Sequence, residues 1–511
     1  MSESKRNQIL LFAAIGVLLI VGFFLRLQNL ADKEFWHDES FTALVISGRT
    51  TNELKAEIGN KIVSFANLEK YRTLTDNSNP SAILKVIGED EPGHAPLFYF
   101  AENLFCSIFG ASPFSMRMLC VLISVCTLPA IYWAAREIYE STRASLLALG
   151  LASLSPLLIY YAQEARDYSL GILFMVVSTA SLVTALRKNS KYFWAGYAVS
   201  LVAGLYSWLF MTIVMAAHVL YFLANWPVCK NQVKQFATCV ALGVASFAPW
   251  ALFISQHMDS FKKAYDWMQP TLTMPELVTV WLAIPYKSVA LFGFKTAKIA
   301  TLLFFVTVVE VSAVLLALKP LWNKKWTLLF ILTVWFAIFA GQDLLTGGAR
   351  SAVFRYQLPV LICTLMLLPT LFETMWTRSR VAKVVASLLL LFIFGVEILS
   401  DFYMLNTRIW PDKAIAMRFT LPLSDVLHKE SDALLIAEES KINPTELLDL
   451  SYLVSPTTKL LFVTGASPVS IPDAAKIYVW NGSDALIKQL KSDHKIEENI
   501  GGFPYITKAT R

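Results

Sequence analysis

Residues 160–168 read Tyr160-Tyr161-Ala162-Gln163-Glu164-Ala165-Arg166-Asp167-Tyr168, set between two long apolar runs at 143–161 and 168–186. Each run is close to the roughly 20 residues needed to cross a hydrocarbon core about 30 Å thick. Charged side chains at that depth are expensive and need partners or a water-filled cavity. The stretch therefore reads as a tight turn between two membrane spans that carries functional polar groups. The plainer reading is a surface ion pair at headgroup level, made by Arg166 with Glu164 or Asp167.

Working outward, similar runs occupy 8–27, 116–135, 192–207, 209–226, 235–255, 298–318, 326–342, 353–372 and 384–402, which makes about eleven spans. The composition agrees, at 56% hydrophobic and 16% charged, where a soluble domain carries about 25% charged residues. A water-soluble enzyme, a disordered tail protein and a secreted disulfide scaffold are excluded. Five cysteines lie in apolar runs and Cys229 lies in a short basic loop, with no disulfide or zinc spacing among them. Lys5-Arg6 precedes an apolar run from Ile9 to Leu25 with no small-residue cleavage site after it, the pattern of an uncleaved signal anchor.

Orientation follows from the basic residues. With the N-terminus inside, every second connection is short and basic: Arg136/Arg143, Arg187/Lys188/Lys191, Lys230/Lys234, Lys319/Lys324/Lys325 and Arg378/Arg380/Lys383. The apolar stretch 95–110 is short and contains Glu102, so it is expected to lie in the interface as an amphipathic helix. The other connections are then external, including a long first loop at about 28–115 and the turn at 163–167. An odd number of spans makes the C-terminus external too. Residues 401–511 hold 26 charged residues in 111, against 56 in the preceding 400. Apolar runs at 433–437, 459–463 and 476–480 alternate with helix-like segments at 445–454 and 483–490, an α/β pattern without a Gly-rich phosphate loop. The expected architecture is an all-α polytopic membrane domain, 1–402, followed by a small external α/β domain, 403–511. The net charge of +6 divides into +8 for the membrane part, beside the bilayer, and −2 for residues 401–511, and nothing points to nucleic acid.

The chemistry gathers on the external face. Asp38 and Glu39 follow Trp36-His37 just beyond the first span. Carboxylates in a partly desolvated setting gain basicity and suit a general base; the plainer role for Asp38 is to cap the helix that follows. Glu89-Asp90-Glu91 runs into His94, and Glu91 with His94 forms a candidate site for a divalent metal ion. A lone His at a helix start is otherwise a cap or a packed residue. Arg350, Arg355 and Tyr356 stand at the external end of the span 353–372, where a planar guanidinium suits phosphate and a snorkelling anchor is the alternative. Acids able to act as a base, guanidiniums able to hold a phosphate, and a lipid-facing position together suggest group transfer from a lipid phosphate. No Walker-type loop is present for an ATP-driven step.

At these residues the sequence resembles the membrane glycosyltransferases of the GT-C fold, specifically the protein O-mannosyltransferase and aminoarabinose-transferase superfamily (glycosyltransferase family 39-like), over roughly residues 8–400. Trp36-His37-Asp38-Glu39 looks like that family's first-loop acidic motif, and His94-Ala95-Pro96-Leu97 like its His-Pro-Pro-Leu with Ala95 in place of the first proline. Gln163-Glu164-Ala165-Arg166-Asp167-Tyr168 looks like its Gln-Glu-Ala-Arg-x-Tyr, and Arg355-Tyr356 with Pro359 like its Arg-Tyr-x-x-Pro. The resemblance implies transfer of a sugar, with inversion, from a polyprenyl-phosphate donor to an acceptor hydroxyl or phosphate of a glycan, lipid or protein. The site would lie on the external (periplasmic) face of a bacterial plasma membrane. It further implies Asp38 as base with Glu39 beside it, and Arg166 and Arg355 on the donor phosphate. Glu164, Asp167, Tyr168 and Tyr356 complete the substrate site, and Glu91 and His94 fall in a region that binds metal in some members. The competing class is a transporter or flippase of a lipid-linked or anionic substrate, which would use intramembrane acids and arginines as well.

Overall fold

The structure, a computed structural model, describes residues 3–265, 271–292, 296–319, 323–410, 413, 419–429, 433–465, 476–492, 494–500 and 506–510, with the side chains of residues 3–11 outside it. The chain divides into two compact units. The first comprises Met1–Leu30, Pro92–Phe98 and Arg117–Thr407; the second comprises Ala31–Glu91, Tyr99–Met116 and Arg408–Arg511.

The first unit is a helical membrane bundle. All eleven apolar runs are helical. Among the described residues seven helices are long and apolar enough to cross a membrane, eight if the bent pair Thr142–Leu154 and Pro156–Ala162 counts as one span. The apolar runs 192–207 and 209–226 form helices of only 15 and 14 residues, Lys191–Leu205 and Met211–Ala224. The Phe354–Arg378 segment is central, with 83% of its apolar window buried, whereas Trp226–Gln256 is peripheral at 17%. The basic connections meet at one end of the bundle. The Arg187 guanidinium makes paired hydrogen bonds to Glu137 at 2.8 and 2.7 Å, Lys324 reaches Glu140 at 2.5 Å, and Gln232 Nε2 donates to the Leu186 carbonyl at 3.0 Å.

The opposite end is shaped by a break. Pro156 has no N–H to give the Ala152 carbonyl, so the helix stops at Leu154 and resumes at a 54° bend. The orphaned carbonyls of Ala152 and Ser153 are taken up by the Arg26 guanidinium, at 3.2 and 2.8 Å, which also donates to Ser124 Oγ at 3.0 Å. Gly22 permits this approach, since a Cβ there would lie 2.2 Å from the Ser153 carbonyl oxygen. In return Gln163 Nε2 donates to the carbonyls of Leu25, Arg26 and Gln28, the open end of the first helix. Two helix ends thus satisfy each other. Replacing Arg26 by Met removes donors from two buried carbonyls, each worth about 1–3 kcal/mol. The Met variant is expected to unfold at clearly lower temperature in detergent, with Lys recovering part of the loss. Unchanged unfolding of the Met variant would show that the bend does not depend on this side chain.

The second unit is built on a mixed six-stranded sheet. Its strands are β1 (Ile62–Ser64), β2 (Leu434–Glu438), β3 (Lys459–Val463), β4 (Lys476–Trp480), β5 (Lys495–Glu497) and β6 (Ile506–Thr510), ordered β1-β3-β2-β4-β6-β5. The central three are parallel, with Ile436 opposite both Leu461 and Val479. Near-continuous apolar strands need cover on both faces. One face (Leu434, Ile436, Leu461, Val479) packs on Leu486 and Leu490 of the helix Asp484–Lys491. The other (Leu435, Leu460, Phe462, Trp480) packs on the helix Pro444–Ser451 and on Leu54, Ile58, Phe65 and Leu68 of the first loop.

This corrects the expected division at 402/403. The C-terminal segment does not stand alone: β1, from the first loop, pairs antiparallel with β3, and first-loop side chains complete the sheet's core. The stretch 95–110 forms the helix Leu97–Phe109. Its 13 residues reach about 20 Å, short of a span. Glu102 and Cys106 lie on its buried side and Leu104, Ile108 and Phe109 on its exposed side.

Candidate active site

Within the membrane unit, the turn quoted first is almost wholly buried. Gln163, Glu164, Arg166, Asp167 and Tyr168 are each at most 3% exposed. The Arg166 guanidinium donates to His94 Nε2 at 2.9 Å, and His94 Nδ1 lies 3.1 Å from Asp167 Oδ2. Arginine has only donors, so Nε2 must accept and the ring proton sits on Nδ1, aimed at the carboxylate. The three side chains therefore form a directed chain, Arg166 to His94 to Asp167. His94 is brought there by its neighbours: Leu97 N donates to the Tyr206 carbonyl at 2.9 Å, and Gly93 lies so close to the Tyr265 hydroxyl that a Cβ would meet it at 1.9 Å.

The fourth sequence element joins the same end. Phe354 stacks on Tyr161, with centroids 5.9 Å apart, and meets Tyr160 edge-on, while Tyr161 contacts Tyr168 at 5.2 Å. The short helix Phe354–Gln357 carries Arg355, whose guanidinium lies 5.9 Å from the Tyr356 ring. The backbone is pinned by Trp335 Nε1, which donates to the Tyr356 carbonyl at 2.5 Å. Asp343 holds the preceding turn by accepting from Arg350 N and Ser351 N at 2.9 and 2.7 Å. A cation that the sequence reading did not single out completes the group. Lys287 donates to Gln357 Oε1 at 2.9 Å and lies 5.5 Å from the Phe354 ring. Its signal was a lone charge in the apolar stretch 277–294. Arg26 had a signal too, as a charge inside a span.

Within the second unit, the helix His37–Ser47 begins one residue before Asp38. Asp38 is therefore not the cap. Trp36 holds that position, and Glu39 reaches back to accept from Trp36 N at 3.3 Å. Glu39 is fully buried, and Asp38 is half-buried. The five residues leading to Asp38 are each held by the segment 408–452. Lys33 lies over the Trp410 ring at 4.2 Å, and Glu34 N donates to the Arg408 carbonyl at 3.3 Å while its carboxylate accepts from Thr420. Phe35 packs on Tyr452 at 4.7 Å, Lys413 stands over Trp36 at 3.7 Å, and His37 Nδ1 meets Thr445 Oγ1 at 3.4 Å. Burial pushes the Glu34 carboxyl up to about 7, against the opposing pull of Thr420 and Arg408.

The acidic run before His94 does structural work. Asp90 Oδ2 accepts from Thr51 N at 2.8 Å, and desolvation raises its carboxyl to about 6. Glu91 Oε2 accepts from the Tyr99 hydroxyl at 3.2 Å. His94 as it stands does not fit a metal-ligand role, because a cation at Nε2 would displace a guanidinium and Nδ1 faces Asp167. Among the described residues no three His, Cys, Asp or Glu side chains gather closely enough to hold a metal ion.

Residues 93–253, less than a third of the chain, match the sequence model of the family described as dolichyl-phosphate-mannose-protein mannosyltransferase. No curated protein matches the chain by sequence. Among solved structures, ArnT from Cupriavidus metallidurans bound to undecaprenyl phosphate superposes with a TM-score of 0.53 at 10% identity, over 99% of this chain and 98% of that one. The apo state of the same protein gives 0.55 at 12% identity with the same coverage. At such identity the likeness concerns the fold, and it spans both units. The chain is a multi-pass membrane protein with the GT-C fold, resembling the membrane glycosyltransferases built on that fold.

Proposed function

We propose that the protein transfers a hexosyl or pentosyl group from a polyprenyl-phosphate donor to an acceptor hydroxyl or phosphate on the external, periplasmic face of a bacterial plasma membrane. The observation that carries this reading is the buried chain Arg166 to His94 to Asp167, with Lys287 and Arg355 at the same end of the bundle. The ArnT structure of the same fold is bound to undecaprenyl phosphate. In the reaction the acceptor oxygen attacks the sugar C1, and the bond from C1 to the phosphate oxygen breaks with its electron pair leaving on the phosphate. The acceptor proton passes to Asp38, and the configuration inverts. Glu39 holds the turn that carries Asp38. Arg166 and Arg355 neutralise the departing phosphate, Lys287 adds to that field, and Glu164, Asp167, Tyr168 and Tyr356 shape the substrate site. A phosphate leaving group needs no general acid. The acceptor is a glycan, lipid or protein.

Incubating purified protein with radiolabelled polyprenyl-phosphate sugars and a crude acceptor extract tests the reading, with label expected to leave the donor. A transporter or flippase is the second reading, favoured by the fully buried Glu310, Glu397 and Asp401 in the bundle. Intact donor appearing in the opposite leaflet of vesicles, without transfer, would select it. Arg355 offers a finer test. Lys keeps the charge and loses the second arm of the fork, and a hydrogen bond to a charged group is worth about 1.5–3 kcal/mol. Arg355→Lys should lower donor use about tenfold and Arg355→Ala about 100-fold, with the acceptor KM unchanged. A helix anchor would snorkel equally well as Lys, so a silent Lys variant would remove Arg355 from the site.

A further inference from the structure

Asp449 is a buried acid that the proposed reaction does not use. It lies on the helix Pro444–Ser451, with Oδ2 3.8 Å from His37 Nδ1, and Thr445 Oγ1 of the same helix lies 3.4 Å from that nitrogen. Thr445 has one hydroxyl proton, which Asn443 Oδ1 accepts at 2.8 Å. Toward His37 it is therefore an acceptor, which puts a proton on Nδ1 facing the Thr445 hydroxyl at 3.4 Å, with the Asp449 carboxyl at 3.8 Å as its electrostatic partner. Fixing one ring nitrogen in this way sets the tautomer and orientation of an imidazole. Burying a carboxyl here carries a desolvation cost that an apolar side chain of similar volume would avoid. That cost is visible: burial, against the opposing pull of Ser40 and with Glu446, Glu34 and Asp38 adding to it, holds the Asp449 carboxyl well above the usual carboxylate range.

His37 opens the helix that carries Asp38 as its second residue. We propose that Asp449, assisted by Thr445, is a positioning residue for the base. It fixes His37, and with it the first helical turn that presents Asp38, which makes the segment 408–511 a working part of the catalytic apparatus. The inference rests on Asp38 being the base.

The test compares Asp449→Ala, Asp449→Asn and Thr445→Val with wild type and Asp38→Asn in the full-length protein, by initial rates against donor concentration and by thermal unfolding. Asp449→Ala is expected to lose ten- to 100-fold in kcat with the donor KM changed less than twofold. Asp449→Asn keeps a polar oxygen facing Nδ1 and should recover to within about threefold of wild type. Thr445→Val, nearly the same shape, should lose a few-fold in kcat only. Wild-type kcat in Asp449→Ala, while Asp38→Asn is dead, overturns the positioning role and leaves the proposed function standing. Losses in kcat that merely follow a lowered unfolding temperature, with no recovery in Asn and none of the kcat effect in Val, overturn it as well. Full activity in Asp38→Asn instead removes the reading on which the inference rests.

Discussion

Asp38→Asn is expected to abolish sugar transfer, lowering turnover about 100- to 10,000-fold as loss of a general base does, while folding and donor binding persist. The structural cost of the change is small. Trp36 and Glu39, rather than Asp38, organise the start of the helix, so the swap forfeits at most the favourable interaction of a first-turn carboxylate with the helix dipole, about 0.3–1 kcal/mol. A 100-fold rate loss corresponds to about 2.7 kcal/mol, well outside that range. Initial rates with a polyprenyl-phosphate sugar, alongside thermal unfolding of the same preparation, separate the two effects. Turnover close to wild type in the Asn variant would return Asp38 to a structural place in its helix.

The second large effect is expected at Arg166. Its guanidinium is 1% exposed and donates to His94 Nε2 at 2.9 Å, and a planar guanidinium held in place in this way suits a phosphate. Arg166→Met should weaken donor binding at least 100-fold, since it removes a buried cation and leaves the His94–Asp167 pair without its donor. Arg166→Lys should weaken it about tenfold by keeping charge without the fork. His94→Ala, with Arg166 intact, should also cost donor affinity, because the guanidinium loses the acceptor that fixes its orientation. Displacement of a labelled polyprenyl phosphate from the detergent-solubilised protein measures all three. Normal donor affinity in Arg166→Lys and His94→Ala together would reduce the array to an internal brace of the bundle.

Much of the membrane unit was legible locally. A backbone in hydrocarbon must satisfy its own hydrogen bonds, so a long apolar run favours a helix, and each of the eleven runs is helical, 143–161 in two pieces. The strands at 459–463 and 476–480 were equally plain, as short apolar runs bounded by turn residues. The kink at Ser155-Pro156 was less so: the run 143–161 is continuous in hydropathy, and the Arg26 side chain that makes its break tolerable comes from the first span, far away in sequence.

Within the site, the sequence determined which residue types stand where: an acid pair after the first span, a buried Gln-Glu-Ala-Arg-Asp turn, an arginine at a helix end. It did so because charge beside apolar runs is costly and therefore conspicuous in one dimension. Only the tertiary structure decided their partners. The acids next to His94 in the chain made it a candidate metal ligand or a packed residue, whereas its two nitrogens meet Arg166 and Asp167, more than 70 residues away. The C-terminal segment was read as a separate module from its charge content. The missing strand of its sheet is the three-residue β1 of the first loop, too short to show a period, and it pairs with β3 across almost 400 residues. Nothing in the sequence marks out Asp449, whose helix meets His37 only in the tertiary structure. Periodicity and composition register what a residue's immediate neighbours require. Which distant groups come to satisfy a buried carbonyl, a ring nitrogen or an open strand edge is settled by the packing of the whole chain.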